Sequence, residues 1–308
     1  MIETAIENNL AIAKQCNFLE IFPNNVHISF SEFSQYNQCP HLNLIYKFLK
    51  LKTQPPSIHL FFGSALHEAI EMSIRQGLTN YQRADYFTNK FRKDMFDNMQ
   101  ADPLFKKLDE FTKQGQEICI KLDLNVIMPG CQILEVEEDL YEKVYKKFFF
   151  KGFIDLNVMK TDSGRYTIYD WKTSTAPWDL EKKLRDYIFL CQMRFYKFFW
   201  AKKHNIDLDL IDCKYVVLNR LKDRKKPNGG IGEIQLVEVP STTEEVIKAV
   251  ELLALTIKKI NILNEFPKVK FFGDEKEGCK FCEFKGGLHP LCNSKYNQYV
   301  ELIKEYKK

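Results

Sequence analysis

Asp155, Asp170 and Lys172, in "GFIDLNV" and "YTIYDWKTS", have the residue types and spacing for phosphoryl chemistry. Carboxylate oxygens are hard ligands for Mg²⁺ or Mn²⁺. An ammonium beside such an ion can orient an attacking water and stabilise phosphoryl oxygens. Asp170 and Lys172 flank Trp171 in a strand-like run, and side chains two apart on a strand share a face. The plain alternative is an ion pair on a solvated sheet surface, worth little energetically.

What brings the two aspartates together is a hairpin. "KGFIDLNVMK" and "RYTIYDWK" are separated by Thr161, Asp162, Ser163 and Gly164, a cluster of strong turn formers. If Lys160 pairs with Arg165, counting outward sets Asp155 opposite Asp170. Opposed residues in an antiparallel pair have Cβ atoms ~4.5–5.5 Å apart. Two like charges at that range call for a neutraliser, and a divalent cation serves. A longer or bulged loop would slip the register by one and send the carboxylates to opposite faces. Trp171 points away from them into the core, while its backbone carbonyl lies between the two site residues and is available as a ligand.

The elements around the hairpin follow from periodicity. "NNVHISF" reads as a short strand, followed by a helix with Ser31 as its cap, Phe33 and Tyr36 inward, and an interruption at Cys39-Pro40. A helix through "GSALHEAIEMSIRQG" stops at Gly77 and carries His67 and Glu68, with Gly63 and Ala65 leaving room for another backbone. Two amphipathic helices come next. From residue 131 the period changes to strands. A long helix in "LRDYIFLCQMRFYKFFWAKKHN" sets Gln192 and Tyr196 one turn apart on one face. Two more strands and a helix after Ser241 complete an α+β order.

Asp155 with Asp170-Trp171-Lys172 resembles the PD-(D/E)XK nuclease motif. Gly63-x-x-x-His67 upstream and Gln192-x-x-x-Tyr196 downstream make the resemblance one to the RecB-type branch. That branch includes the exonuclease V family and CRISPR-associated iron–sulfur nucleases. The four motifs stand in the family's order on helix, hairpin and helix. The resemblance implies an α/β/α restriction-endonuclease-like core, a central mixed sheet flanked by helices. It implies a metal held by His67, Asp155, Asp170 and the Trp171 carbonyl, with Lys172 assisting catalysis. Gln192 and Tyr196 would position the DNA backbone or the active-site groups. The expected activity is a DNA exonuclease on ends or single strands, in recombination, repair, phage DNA processing or CRISPR-type trimming. The alternative is a catalytically silent DNA-binding or scaffold protein with the same fold.

The 308 residues, 45% hydrophobic and 28% charged with a net charge of +4, suit an ordinary globular chain and permit a polyanionic partner without demanding one. Arg185, Arg194 and the stretch from Arg220 to Lys226 are candidate phosphate contacts. No P-loop is present, so a helicase partner would be a separate chain. Neither a signal peptide nor a membrane span is legible, and the expected setting is a reducing bacterial, archaeal or phage-infected host cytoplasm. Of nine cysteines, Cys119, Cys131, Cys191 and Cys213 read as small buried hydrophobes and Cys16 as uninformative. Cys279-x2-Cys282-x9-Cys292, with Cys39 far upstream, suits four-thiolate zinc or a [4Fe–4S] cluster. The family resemblance favours the cluster, stapling the two ends of the chain around the nuclease core; His289 is a substitute ligand in the zinc case. The expected organisation is one domain over 1–308: a helical part at 25–130, a sheet core at 131–240 and a Cys-rich segment at 241–308.

Overall fold

The computed structural model describes residues 26–39, 57–99, 103–145, 148–220 and 234–261. Within these, six strands and eight helices form a mixed sheet flanked by helices, consistent with a restriction-endonuclease-like fold. The strands are β1 (Val26–Ser29), β2 (Cys131–Tyr145), β3 (Phe148–Lys160), β4 (Tyr166–Ser174), β5 (Ile211–Asn219) and β6 (Ile234–Glu238). Their order is β1-β3-β4-β5-β6, with β2 also on β3. The helices are α1 (Phe30–Gln38), α2 (Ile58–Gln76), α3 (Asn80–Asn98), α4 (Leu108–Lys121), α5 (Leu124–Ile127), α6 (Leu180–Arg185), α7 (Tyr187–His204) and α8 (Thr243–Asn261). None is long and apolar enough to cross a membrane.

By contacts the chain divides into two compact units. The smaller gathers β1, α1, residues 148–151 of β3 and most of α8. In it β1 runs parallel to the start of β3, and Asn37 donates to Thr256 Oγ1 at 3.2 Å. Ser29, not Ser31, caps α1: its hydroxyl accepts from the Glu32 N–H at 3.2 Å, because Phe30 already belongs to the helix. The helix stops at Gln38, ahead of Cys39-Pro40.

The larger unit holds the remaining sheet and α2 to α7. One sheet face presents Leu156, Val158, Tyr169, Trp171, Val216 and Leu218 to the core of α2–α4. Phe62 lies edge-on to Phe87, Phe91 and Phe111 in that core. A Cβ on Gly115 of α4 would fall 2.1 Å from the Phe87 ring, so only glycine lets α3 and α4 approach this closely. Gly77, at φ 67°, ends α2 in the left-handed region that glycine adopts freely. Arg83, 1% exposed, ties the three helices together through Cys119 O, Leu122 O and Ser73 Oγ. Its cation meets carbonyls at the C-terminal end of α4, where the helix dipole favours positive charge.

The opposite face is covered by α7, which lays Gln192, Tyr196, Trp200 and His204 along one line. The single long helix expected around residue 184 is two: α6 ends at Arg185, and Asp186 caps α7 by accepting from the Phe189 N–H. Cys119, Cys191 and Cys213 are buried, as expected of small hydrophobes, but Cys131 is only half-buried because it opens β2 at the sheet's rim.

Candidate metal centre

The hairpin pairs in the counted register. Lys160 N–H donates to Arg165 O at 2.8 Å, and Leu156 lies opposite Tyr169 and Asn157 opposite Ile168. Continuing that register by one step sets Asp155 opposite Asp170, and the Trp171 N–H donates to Asp155 Oδ2 at 2.6 Å. Asp170 is 2% exposed and Asp155 8%, which rules out the solvated-surface alternative. Lys172 Nζ lies 2.5 Å from Asp170 Oδ2. That ammonium is the cation meeting this buried oxygen. Burial pushes both carboxyls up from the ordinary aspartate range; at Asp155 the Asp170 charge adds to this, against the Lys172 ammonium and the Trp171 N–H.

His67 comes from α2, with Nδ1 3.8 Å from Asp155 Oδ1. Burial and the Lys172 charge hold its imidazole down at about 4, although a hydrogen bond to the Trp171 backbone pulls the other way. It is therefore neutral at pH 7, the form that can ligate a metal. Gly63, one turn earlier, faces the Thr173 side chain rather than another backbone: a Cβ there would lie 3.4 Å from Thr173 Oγ1. Glu68 turns away, accepting from Tyr86 Oη and pairing with Lys90 at 3.0 Å.

From α7, Gln192 Nε2 donates to Asp170 Oδ1 and to Tyr196 Oη, each at 3.1 Å. Gln192 thus meets Asp170 directly, and Tyr196 is linked to it through Gln192. Arg194 does not face solvent: it is 2% exposed and bound to Pro240 O and Glu245, because its position on α7 faces inward. Arg220 is likewise turned in, its guanidinium 4.5 Å from the Phe111 ring centroid and bonded to Thr175 Oγ1. Arg185 is exposed and pairs with Glu181. Residues 221–226 lie outside the described residues, as do Cys16, Cys279, Cys282, Cys292 and His289; Cys39 is half-buried at the end of α1.

Glu137 is the residue that sequence reasoning missed. Single ligand atoms of His67, Glu137 and Asp155 all lie within 4.8 Å of one another. Opposite ligands of one octahedral ion at ~2.1 Å stand roughly 4.2 Å apart, so the trio is close to ion-binding size. Glu137 has φ 55°, uncommon for a non-glycine residue inside a strand. A bulge explains it. Val136 packs in the α2–α4 core with Leu156 and Trp171, whereas Glu138 meets Asn157 and Trp200 on the α7 face. Two residues apart on a regular strand would share a face; one extra residue re-aims the rest of the strand. The signal in the sequence was Glu138 itself, a carboxylate in phase with Val136 and Leu140.

A neutral nitrogen donor and clustered carboxylate oxygens fit Mg²⁺ or Mn²⁺, the ions PD-(D/E)XK nucleases generally use. The model of that superfamily matches residues 27–286. The chain belongs to the PD-(D/E)XK nuclease superfamily. Members of the superfamily are nucleases, and membership suggests metal-dependent hydrolysis. No curated protein matches the chain. Among solved structures, one described as "Crystal structure of SSO0001" is 12% identical over 92% of this chain and 93% of that chain, with a TM-score of 0.31. So low a score carries no argument about this nuclease-family chain.

Proposed function

We propose that the chain is a metal-dependent deoxyribonuclease acting on DNA ends or single strands. One observation supports the reading: two buried carboxylates beside a lysine and a neutral histidine. His67, Asp155, Asp170 and Glu137 are the proposed metal ligands, with the Trp171 carbonyl between the aspartates. Mg²⁺ or Mn²⁺ held there would supply Lewis-acid chemistry at a phosphoryl oxygen and a water nucleophile at neutral pH. Lys172, its side chain 28% exposed and paired with Asp170, would meet phosphoryl oxygens there. Gln192 fixes Asp170 from above, and the Trp171 N–H fixes Asp155, so neither carboxylate must reorganise during reaction.

The test is cleavage of end-labelled single- and double-stranded DNA with Mn²⁺ or Mg²⁺. Asp155→Ala, Asp170→Ala and Lys172→Ala should each lower the rate by about 10²–10³-fold or more. DNA binding by the wild type with no cleavage under either ion would remove the enzyme reading. The four-cysteine [4Fe–4S] centre at Cys39, Cys279, Cys282 and Cys292 rests on the sequence resemblance. Visible charge-transfer absorption with four irons per chain supports it; a colourless protein, purified anaerobically with stoichiometric zinc, overturns it.

A further inference from the structure

Beside the metal centre, on the same sheet face, stands an aromatic group that the chemistry above does not use. Tyr215 is the register partner of Asp170 on the parallel neighbour β5, so its ring rises next to the aspartate. Lys172 Nζ lies 5.6 Å from that ring's centroid. Phe189 stacks on Tyr215 at 4.8 Å, and Trp178 meets both rings edge-on at 5.1 and 5.7 Å. The group is held in place by polar bonds. Tyr215 Oη donates to Phe189 O at 3.1 Å, and the Trp178 backbone N–H donates to Gln235 Oε1 at 2.9 Å. Tyr215 is wholly buried, whereas Trp178 and Phe189 are half-buried and form the outward edge. Lys183 lays its ammonium over both, 5.2 Å from the Trp178 centroid and 4.6 Å from that of Phe189. No carboxylate pairs with Lys183 among the described residues.

We infer that Trp178 and Phe189, with Lys183, form a stacking platform for an unpaired base of the substrate strand, flanking the phosphate at Asp155, Asp170 and Lys172. This inference rests on the nuclease reading. A base within a duplex has both faces covered by its neighbours, and only an unstacked base can lie on a protein ring; single-strand sites combine such rings with cations that follow the backbone. Here the rings adjoin the reactive residues through two elements, β5 at Tyr215 and α7 one turn before Gln192. Lys183 sits where a base would enter and, displaced by it, reaches the adjacent phosphate. The occupant is therefore single-stranded DNA rather than a closed duplex.

Tryptophan fluorescence reads the platform directly. Of the three tryptophans, Trp171 and Trp200 are each 2% exposed, so a stacking base quenches Trp178. Binding is measured in EDTA with a short single strand, the same strand with scattered abasic positions, and a blunt duplex. The expected result is quenching of the wild type by the single strand alone and its loss in Trp178→Phe, which keeps a ring and binds within about twofold. Trp178→Ala should bind the single strand roughly 5- to 100-fold more weakly and the abasic strand no differently from wild type. Quenching that survives in Trp178→Phe, or undiminished binding by a folded Trp178→Ala, overturns the platform. Should Trp178→Ala melt, the Trp178→Phe fluorescence decides alone. Cleavage with Mn²⁺ is scored separately: a platform-dependent binder that cuts nothing defeats the nuclease reading and leaves the platform, while cleavage with no Trp178 quenching does the reverse.

Discussion

Glu137 combines two properties that normally conflict: a backbone at φ 55° and a side chain with no need of that conformation for its own sake. Left-handed geometry costs a non-glycine residue about 1–2 kcal/mol, and such strain collects at functional sites. Burial, then the Glu71 and Asp170 charges, push its carboxyl up from the ordinary glutamate range. Glu137→Gly removes both burdens. The variant should be more stable than wild type by about 1 kcal/mol in EDTA, measured by urea unfolding. It should also bind Mn²⁺ more weakly by calorimetry. A variant that keeps full Mn²⁺ affinity would show that the bulge serves only to turn β2. Asp170→Asn should separate the roles in another way, since Gln192 can still bond the amide oxygen while an ion held there would lose an anionic ligand.

Among the elements, α7 and the β2–β3 ladder are joined through one buried carboxylate. Glu138 accepts from Asn157 Nδ2 at 2.6 Å, Trp200 Nε1 at 2.7 Å and Lys203 Nζ at 2.8 Å, and meets His204 Nε2 at 2.6 Å. Burial works to raise its pKa, but the bonds from Lys203, His204 and Trp200 together outweigh it and leave the carboxyl below 4.5. A depressed carboxyl contributes stability that is present above its unfolded value and is lost as pH falls through the folded one. Acid titration of stability should therefore steepen below about pH 4.5 in the wild type and flatten in Glu138→Gln. At pH 7 that variant should lose about 2 kcal/mol, read from denaturant midpoints. On the other face, Gly115→Ala should cost about 1–3 kcal/mol, because its Cβ would overlap the Phe87 ring.

At the level of the whole molecule, the metal-centre residues all belong to the larger unit, although His67 and Tyr196 are 129 positions apart in the chain. The two buried aspartates oppose one another, so an ion that binds only the folded chain should stabilise it. Saturating Mn²⁺ at a hundredfold over its Kd corresponds to about 2.7 kcal/mol. Thermal unfolding should show a rise in Tm with Mn²⁺ that Asp155→Asn abolishes. A Tm insensitive to Mn²⁺ in the wild type would speak against an ion at this centre.

Local rules made much of this molecule legible from its sequence. The turn residues from Thr161 to Gly164 set the hairpin, the side-chain period of two did the rest, and Asp155 could be counted opposite Asp170 because nothing distant enters that reasoning. Helical spacing likewise put Gln192 and Tyr196 on one face, and Gly77 marked the end of α2. What needed the tertiary structure was anything decided by a neighbour remote in sequence. Arg194 and Arg220 looked like surface cations until Pro240, Glu245 and the Phe111 ring enclosed them. Glu137 reached His67 and Asp155 through a bulge that lets β2 offer Val136 to one layer and Glu138 to the other. Trp178, in the segment after β4, gained its place only when α7 and β5 brought Phe189 and Tyr215 beside it. Periodicity reports which side of its own element a residue takes; packing between elements decides what waits there.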